Sequence, residues 1–321
     1  MRNWEDLPLA IRQQVYIYDG SLRRTSSRAV PDRLVSITGT TAGPLVSCLM
    51  LTRGDPARVR AAIACFRRQT YRDKELVVVS SAAGVELQRL IETSGSDIRL
   101  IQAEKGLSLG LLRNISVERS EGEIVCVWDD DDLYGAHRLE RGVGALVQAR
   151  ADAVFLRQVC IWSPGRKILR LSHSRSWEAT MLAFKTALPR YPDAPRNEDT
   201  VLVEAMLGQR SIALMDDPLS YCYCVHGQNT SDAVQLQAII DAGSLKFNYG
   251  RALAALSASF AFAEHAAAEK SDRLLLASHA GQVGPLKRLE AYLAVNQFLR
   301  RLRYRRKRRY TVSSKSESTS C

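Results

Sequence analysis

The chain has 321 residues, of which 46% are hydrophobic and 25% charged, and these ordinary proportions exclude a disordered or collagen-like protein. Its formal net charge is +11, but residues 300–309 hold eight basic side chains and no acidic one, which leaves +3 for the rest. The seven cysteines are an odd number, and Cys48 and Cys126 lie in apolar runs, so we expect free thiols in a reducing compartment.

Residues 1–43 combine a predicted helix over residues 7–18 with a segment rich in serine, threonine and arginine, and we interpret them as a lead-in that docks on a larger unit. The N-terminus lacks the apolar core and the cleavage site of a secretory signal. The longest uncharged stretch, residues 34–52, is interrupted by glycine, proline and hydroxyl side chains. We therefore expect no membrane-spanning segment and a cytoplasmic protein.

From residue 44 the sequence alternates between apolar runs typical of buried strands and segments with helical spacing. The predicted strands and helices follow each other in turn, with strands at residues 45–51, 75–81, 98–102 and 123–128 and helices at residues 55–69, 85–93, 109–120 and 133–150. Asp55 suits the N-cap of the first helix, and Pro56 suits its first position. This alternation predicts an α/β fold with a Rossmann-like, mainly parallel sheet flanked by helices.

The second half is less regular. We predict two paired strands at residues 153–162 and 167–174 with a turn between them, a helix at residues 198–209 and a further strand at residues 219–227. Beyond them the chain is rich in alanine and leucine with helical spacing. We therefore predict four parts: a lead-in at residues 1–43, a globular domain at 44–231, a C-terminal helical extension at 232–299 and a basic tail at 300–321.

The sharpest feature is a run of four aspartates, Asp129 to Asp132, directly after the strand predicted at residues 123–128. Carboxylates about 4 Å apart repel each other by about 1 kcal/mol in water and about 4 kcal/mol at an effective dielectric of 20. A bound cation offsets that repulsion, and in an extended backbone Asp129 and Asp131 share one face, where they can present oxygens to Mg²⁺ or Mn²⁺. Ligands of open α/β sheets also bind at the carboxyl ends of strands. The run predicts a metal site, with an N-cap role as the alternative that suits Asp132.

Several segments resemble, in their order, the GT-A glycosyltransferases of family 2, whose aspartate-rich DXD motif holds a metal on the diphosphate of a sugar nucleotide. The landmarks are PLVSCLMLTR, FRRQTYRDKELVVV, LGLLRNISVERSEGEIVCVWDDDDLY, RNEDTVLVE and YCYCVHGQNTS. The resemblance covers roughly residues 44–231. It implies a GT-A fold and the transfer of a sugar, with inversion, from a nucleotide-diphosphate donor to an acceptor hydroxyl.

The resemblance also implies roles for the residues at matching positions. Asp131 corresponds to the principal metal ligand, and Asp129 to a contact of the donor ribose or of the metal. Asp130 lies between them and is assigned to the donor. Thr52, at the end of the first predicted strand, corresponds to a contact of the donor nucleotide.

Arg113 and Asn114 correspond to the helix that flanks the donor pocket in similar proteins. The alternative for Arg113 is an ion pair on a helix face. The chain departs from the family after the second predicted strand, where an acidic residue usually contacts the nucleobase and this sequence has Ser80 and Ser81. A serine hydroxyl donates or accepts a hydrogen bond but lacks the charge of a carboxylate. A UDP-sugar donor is compatible with this pattern, and so is another base.

Inverting transfer needs a base near the acceptor hydroxyl, and one carboxylate suffices where a metal neutralises the leaving diphosphate. Glu198 and Asp199 lie at a predicted helix start and correspond to the Glu-Asp motif of the family, which assigns the base to Asp199. The alternative is that both carboxylates only interact with the helix dipole, an effect of about 0.3 to 1 kcal/mol each.

Cys222, Cys224 and His226 alternate along one predicted strand, so zinc binding is one interpretation. Alternate residues of a strand lie roughly 6.6 Å apart, however, which is wide for one tetrahedral ion. Buried thiols are the simpler interpretation. His226 also begins a segment that resembles the H-G-x-N loop of the family, whose histidine contacts the metal or the diphosphate.

Residues 292–309 combine an apolar helical face with the eight basic side chains. Such a segment is typical of a solvated tail, and it also fits an anionic membrane, where each basic residue contributes about 1 kcal/mol. Nucleic acid is the weaker alternative. By analogy with enzymes that meet glycan or lipid-linked acceptors, we expect a protein that is peripheral at the inner face of the membrane.

Two other functions fit the sequence. Ser80, Ser81 and the basic tail are compatible with a nucleic-acid- or membrane-associated binding protein whose glycosyltransferase-like domain is degenerate and non-catalytic. The same aspartates would also serve a metal-dependent nucleotidyl or phosphoryl transferase, although the sequence has no P-loop motif.

Overall fold

The computed structural model describes residues 14–18, 24–29, 43–227, 229–230, 233–243 and 245–246, together with residues 249 and 260. The basic tail, and the predicted helical extension beyond the residues just given, lie outside this range. None of the helices in the described part has the length and apolar character needed to span a bilayer.

The strands, numbered in chain order, are β1 Gln14–Tyr18, β2 Arg24–Ala29, β3 Val46–Leu51, β4 Lys74–Ser80, β5 Ile98–Gln102, β6 Ile124–Val127, β7 Leu133–Tyr134, β8 Ala153–Leu156, β9 Cys160–Ser163, β10 Ile168–Leu171, β11 Leu182–Phe184, β12 Ile212–Met215, β13 Tyr221–Cys224 and β14 Leu245–Lys246. The α-helices are α1 Pro56–Arg67, α2 Val85–Glu92, α3 Leu109–Arg119, α4 Arg138–Ala149, α5 Glu198–Gln209 and α6 Ala233–Asp241.

The main sheet has nine described strands in the order β2-β1-β12-β8-β11-β6-β3-β4-β5. The pairs β3–β4, β4–β5, β3–β6 and β8–β12 are parallel, whereas β11 is antiparallel to both of its neighbours, and so is β1. Seven of these nine strands therefore run in one direction. The prediction of an α/β fold with a mainly parallel sheet flanked by helices is confirmed.

A second sheet has the described order β14-β10-β9-β13-β7. Its strand β7 follows the aspartate run directly and pairs with β13, Leu133 opposite Cys222 and Tyr134 opposite Tyr221. The four aspartates consequently form the crossover from the carboxyl end of β6, in the main sheet, to the second sheet. This crossover brings them beside the loop that follows β13.

The predicted start of the first helix is confirmed by its capping contacts. The Asp55 side chain accepts a hydrogen bond from the backbone N–H of Ala57 at 2.9 Å, and Pro56 occupies the first helical position. Val59, Cys65 and Phe66 are fully buried on the face of α1 that contacts the core. The helix therefore begins where β3 ends, beside the aspartate run.

The helix predicted over residues 133–150 begins only at Arg138, because the first two residues pair with β13 as strand β7. The strand predicted over residues 153–162 is divided in two. Its first part, β8, is parallel to β12 in the main sheet, and its second part, β9, forms the predicted hairpin with β10 in the second sheet. Tertiary pairing, which single-sequence periodicity does not contain, decides both differences.

The helix predicted over residues 7–18 is wrong for its described part. Residues Gln14–Tyr18 form strand β1, which lies antiparallel to β12 at Val15–Met215 and to β2. Val15 and Ile17 are β-branched and alternate with tyrosines, a pattern that suits a strand once a sheet edge is available to pair with it. The lead-in therefore extends the main sheet.

Candidate active site

The four consecutive aspartates have different partners, although they lie next to each other. Asp129 pairs with an arginine, Asp130 with a threonine hydroxyl, Asp131 with a histidine, and Asp132 with a tyrosine and a backbone N–H. Asp129, Asp130 and Asp131 are partly exposed, whereas Asp132 is 2% exposed. The open side of the run is therefore formed by the first three carboxylates.

Arg113 projects from α3 and connects two carboxylates. Its NH2 group lies 3.3 Å from Oδ1 of Asp129, and its Nε donates to Oε1 of Glu198 at 3.2 Å. Burial is the largest effect on the pKa of Asp129 and raises it, although the positive charge of Arg113 acts to lower it. NH1 of Arg113 is buried and has no hydrogen-bond partner in the described part of the protein. Arg113 therefore retains a donor available for a ligand. The ion pair considered as the alternative for this residue is also present in the structure.

Asp130 lies against the end of β3. The Thr52 hydroxyl bonds to its carboxylate, and the same oxygen accepts from the backbone N–H of Gly54 at 3.1 Å. Burial and the neighbouring charge of Asp131 raise the pKa of Asp130 to about 7. The positive charge of Arg58 and the Thr52 hydroxyl act in the opposite direction but do not offset these two effects.

Asp131 faces the loop after β13. Its Oδ2 lies 2.9 Å from Nε2 of His226 and 3.4 Å from Nδ2 of Asn229. On the other side of the ring, Arg58 of α1 lies 3.4 Å from Nδ1, and because a guanidinium only donates, Nδ1 accepts this bond. His226 is 1% exposed, so its ring is fixed between Arg58 and Asp131.

Asp132 does not cap a helix, which excludes the alternative role considered for it. Its Oδ1 accepts from the backbone N–H of Cys224 at 2.8 Å, and its Oδ2 accepts from the Tyr221 hydroxyl. Burial, followed by the charges of Asp131 and Asp129, raises its pKa well above the ordinary value. The carboxyl group therefore belongs to the interior and links the aspartate run to β13.

An aromatic layer lies beneath the run. Trp128 stacks on Tyr134 with ring centroids 3.8 Å apart, and the Tyr134 hydroxyl donates to the backbone carbonyl of Asp129 at 2.9 Å. The buried Arg138 lies near the rings of Trp128, Tyr134 and Tyr221, and it donates to the carbonyl of Val127 at 3.1 Å. These contacts hold the backbone of the crossover from below.

Asn114, a predicted donor contact, and Ser80, which follows the second predicted strand, both have partners within the protein. The Asn114 amide donates to the carbonyl of Tyr191 and accepts from its N–H, both at 2.9 Å. Ser80 is fully buried, and its hydroxyl accepts from the N–H of Ala82 at 3.2 Å. Asn114 thus fixes the backbone beside the site, and Ser80 shapes the turn after β4, which leaves Ser81 as the more exposed of the two serines.

Asp199 lies in the first turn of α5 and is partly exposed, with Oδ1 accepting from the N–H of Thr200 at 2.7 Å. It lines a small pocket together with Arg113, Glu178 and Tyr191, and the apolar side chains of Val127 and Met181 also line it. Glu198 lies in the same first turn, but it is also buried and bonded to Arg113. The dipole alternative alone therefore does not account for Glu198.

The zinc interpretation fails on the placement of its three side chains. Cys222 and Cys224 are fully buried in the apolar core, whereas His226 is directed at Asp131. The six cysteines of the described residues are free and buried, as predicted for Cys48 and Cys126. Nowhere in the described ranges do three His, Cys, Asp or Glu side chains form a preassembled metal site.

Arg58, Tyr221 and Asn229 were not singled out from the sequence. Arg58 lies in α1, where nothing in the sequence pattern distinguishes it from the other arginines, and its partner His226 is 168 residues away in the chain. Tyr221 alternates with Tyr223 along β13, a pattern that equally suits a buried strand. Asn229 lies within the recognised H-G-x-N segment, which is the one signal that marked any of the three.

The fold and the site together define an α/β protein with an acidic cluster at the carboxyl edge of its main sheet, where such folds bind ligands. Residues 47–200 match the family model for glycosyl transferase family 2.

Known relatives are similar over part of their length. The chain is 26% identical over 105 residues to the Escherichia coli UDP-Glc:alpha-D-GlcNAc-diphosphoundecaprenol beta-1,3-glucosyltransferase WfgD, which covers 32% of this chain and 42% of that relative. Among solved structures, residues 1–349 of TarS from S. aureus, in complex with UDP, match at 15% identity and a TM-score of 0.46, over 61% of this chain and 64% of that one. A second TarS structure matches with the same identity and TM-score over 39% of its own length.

Proposed function

We propose that the protein is a metal-dependent, inverting glycosyltransferase that moves a sugar from a nucleotide-diphosphate donor to an acceptor hydroxyl. The observation that carries the proposal is the grouping at one sheet edge of Asp131 with His226, Asp129 with Arg113, and Asp199 in the adjoining pocket. The family match of residues 47–200 supports it.

The residues present fit a divalent cation. Burial and mutual repulsion raise the pKa values of Asp129 and Asp130, and a cation would relieve both effects. Asp131 and Asp129 would hold Mn²⁺ or Mg²⁺, with His226 beside them, and such ions commonly bind to one or two carboxylates plus substrate phosphates. When bound, the ion would neutralise charge on the leaving diphosphate.

The chain's own residues would bind the donor around this position. The buried NH1 of Arg113 offers a hydrogen bond to a phosphate oxygen or a sugar hydroxyl, since it has no partner among the described residues. Thr52 and Asp130, which follow β3 and β6 in the chain, would contact the nucleoside. Asn114 supports this wall by holding the Tyr191 backbone.

Asp199 would act as the base. Its bond to the N–H of Thr200 orients the carboxylate, which takes the proton from the acceptor hydroxyl as that oxygen attacks the anomeric carbon. The bond from that carbon to the diphosphate breaks on the opposite face, so the anomeric configuration inverts. A glycan or lipid-linked acceptor suits this site, and we retain the proposal that residues 292–309, outside the described range, bring the protein to an anionic membrane.

A thermal-shift screen of nucleoside diphosphates and their sugars, with and without Mn²⁺, tests the proposal. A ligand at 100 times its dissociation constant adds about 2.7 kcal/mol to the free energy of unfolding, which is readily measured. We expect one base to respond in the presence of Mn²⁺, and that base identifies the donor. Unchanged melting temperatures with every nucleotide would contradict a nucleotide-sugar site.

A further inference from the structure

Asp132 shares neither the exposure nor the partners of the other three aspartates. Both of its carboxyl oxygens accept hydrogen bonds from β13, one from the Tyr221 hydroxyl and one from the backbone N–H of Cys224. Its side chain is directed away from the open side of the run, because these two bonds lie inside the protein. Both carboxyl oxygens are therefore engaged by protein donors in the interior, away from the ion that Asp131 would contact.

The loop directly after β13, the strand that bonds Asp132, carries the histidine of the site. His226 follows Cys224 by two residues, and its Nε2 lies 2.9 Å from the Asp131 carboxylate. Asp131 and His226 thus belong to two different chain segments. The Asp132 carboxyl group connects these segments, because Asp132 is next to Asp131 and is bonded to Cys224, two residues before His226. The β7–β13 pairing ends at Leu133 and Cys222, so the Asp132 side chain extends this connection towards the site.

We infer that Asp132 is a positioning residue, which together with Tyr221 fixes the distance between Asp131 and His226. The inference rests on the proposed function. It distinguishes two roles within one motif: Asp131 would contact the ion, and Asp132 would set the place of Asp131. Side chains that orient metal ligands typically change metal affinity by about 10- to 100-fold when they are removed.

Substitutions of Asp132 separate geometry from charge. In Asp132→Asn the amide oxygen still accepts from Cys224, and the amide nitrogen donates to the Tyr221 hydroxyl, which can accept. This variant keeps the connection and loses the charge. Asp132→Ala loses the connection and the charge, and Tyr221→Phe removes one bond only. Tyr223→Phe, on the same strand, is the matched control.

The experiment titrates the full-length protein with Mn²⁺, with and without UDP, and measures free Mn²⁺ by electron paramagnetic resonance. Thermal unfolding of each variant checks the fold, and if Asp132→Ala does not fold, Tyr221→Phe carries the test. We expect Asp132→Ala and Tyr221→Phe to weaken Mn²⁺ binding by about 10- to 100-fold, and Asp132→Asn and Tyr223→Phe to bind as the wild type does.

Two results would overturn the inference while leaving the proposed function in place. In the first, folded Asp132→Ala and Tyr221→Phe bind Mn²⁺ normally while Asp131→Asn does not. In the second, Asp132→Asn loses as much affinity as Asp131→Asn, which would make Asp132 itself a ligand. If Asp131→Asn binds normally, the metal assignment of the proposed function fails and the inference falls with it.

Discussion

At the scale of single residues, the aspartate run is divided by its partners into an open part and a buried part. Arg113 compensates Asp129, and His226 lies beside Asp131, so the crowded charges are distributed over several contacts. The raised pKa values of Asp129 and Asp130 show that the compensation is incomplete. A site of this kind gains stability from a cation.

We predict that Asp199→Asn retains donor and metal binding but loses transfer by a factor of about 10² to 10⁴, because an amide cannot take the acceptor proton. Rates with a labelled donor and binding by calorimetry measure the two effects separately. Glu198→Gln is the control, because it also replaces a carboxylate by an amide in the first turn of α5, but at a residue that is bonded to Arg113. If Asp199→Asn transfers sugar at the wild-type rate, the base is another residue.

A second prediction concerns His173, which lies after β10. Burial, and to a smaller extent the charge of Arg175, lowers its pKa to about 4, below the ordinary value of about 6.5. The folded protein therefore binds fewer protons than the unfolded chain between pH 6.5 and 4, so stability falls as the pH falls through this window. Because the ring is partly exposed, we expect an effect of about 1 to 2 kcal/mol.

Urea unfolding of His173→Gln and the wild type at pH 7.5 and pH 4.5 measures this effect. The variant should lose less free energy of unfolding than the wild type between the two pH values, since glutamine does not take up a proton. Identical losses in the two proteins would show that His173 titrates alike in the folded and unfolded states.

At the scale of elements, Arg113 and Glu198 connect α3 with the first turn of α5. Arg113→Met would leave the buried Glu198 without its counter-charge, and we predict a loss of about 3 kcal/mol in the free energy of unfolding at pH 7. Glu198→Gln added to that variant should recover much of the loss. Chemical denaturation of the three variants measures it, and additive losses in the double variant would show that the two side chains are not coupled.

Elements that depend on local sequence were predicted well. Asp55 and Pro56 mark the start of α1 because capping is a contact between neighbours, and the apolar runs of β3, β4 and β6 lie buried as expected. Elements that depend on distant partners were not. Strand β7 has two residues and exists only because β13 pairs with it, and β1 needs β12.

The same distinction applies to the candidate site. Asp129, Asp131 and Asp199 were singled out because runs and motifs are visible in the sequence, and in the structure Asp129 pairs with Arg113 while Asp199 lines a pocket with it. The contacts of His226 with Arg58, and of Asp132 with Tyr221, join residues far apart in the chain. Periodicity contains no information on such pairs, so only the fold shows them.

At the scale of the whole molecule, the basic C-terminal segment remains a prediction from the sequence. Removing residues 300–321 should weaken binding to vesicles that contain anionic lipid, because each basic residue near such a surface contributes about 1 kcal/mol. Turnover of a water-soluble acceptor should be unchanged, since the truncated segment lies outside the family match at residues 47–200. Vesicle sedimentation provides the measurement, and equal binding by both forms would exclude the membrane role.

The proposed activity accounts for the acidic crossover, the arginine at Asp129 and the carboxylate in the adjoining pocket as parts of one site. The alternatives make different use of the same residues. A phosphoryl transferase would move phosphate from the donor, and a degenerate binding protein would move nothing. Measuring which atoms of the donor reach the acceptor therefore distinguishes glycosyl transfer from both alternatives.

The most direct test therefore follows a donor labelled in both the sugar and the β-phosphate, with the base chosen by the thermal-shift screen. We predict that the sugar label alone reaches the acceptor in the presence of Mn²⁺, that nuclear magnetic resonance shows an inverted anomeric configuration, and that Asp199→Asn forms almost no product. Transfer of the phosphate label, or a product with retained configuration, would contradict the account.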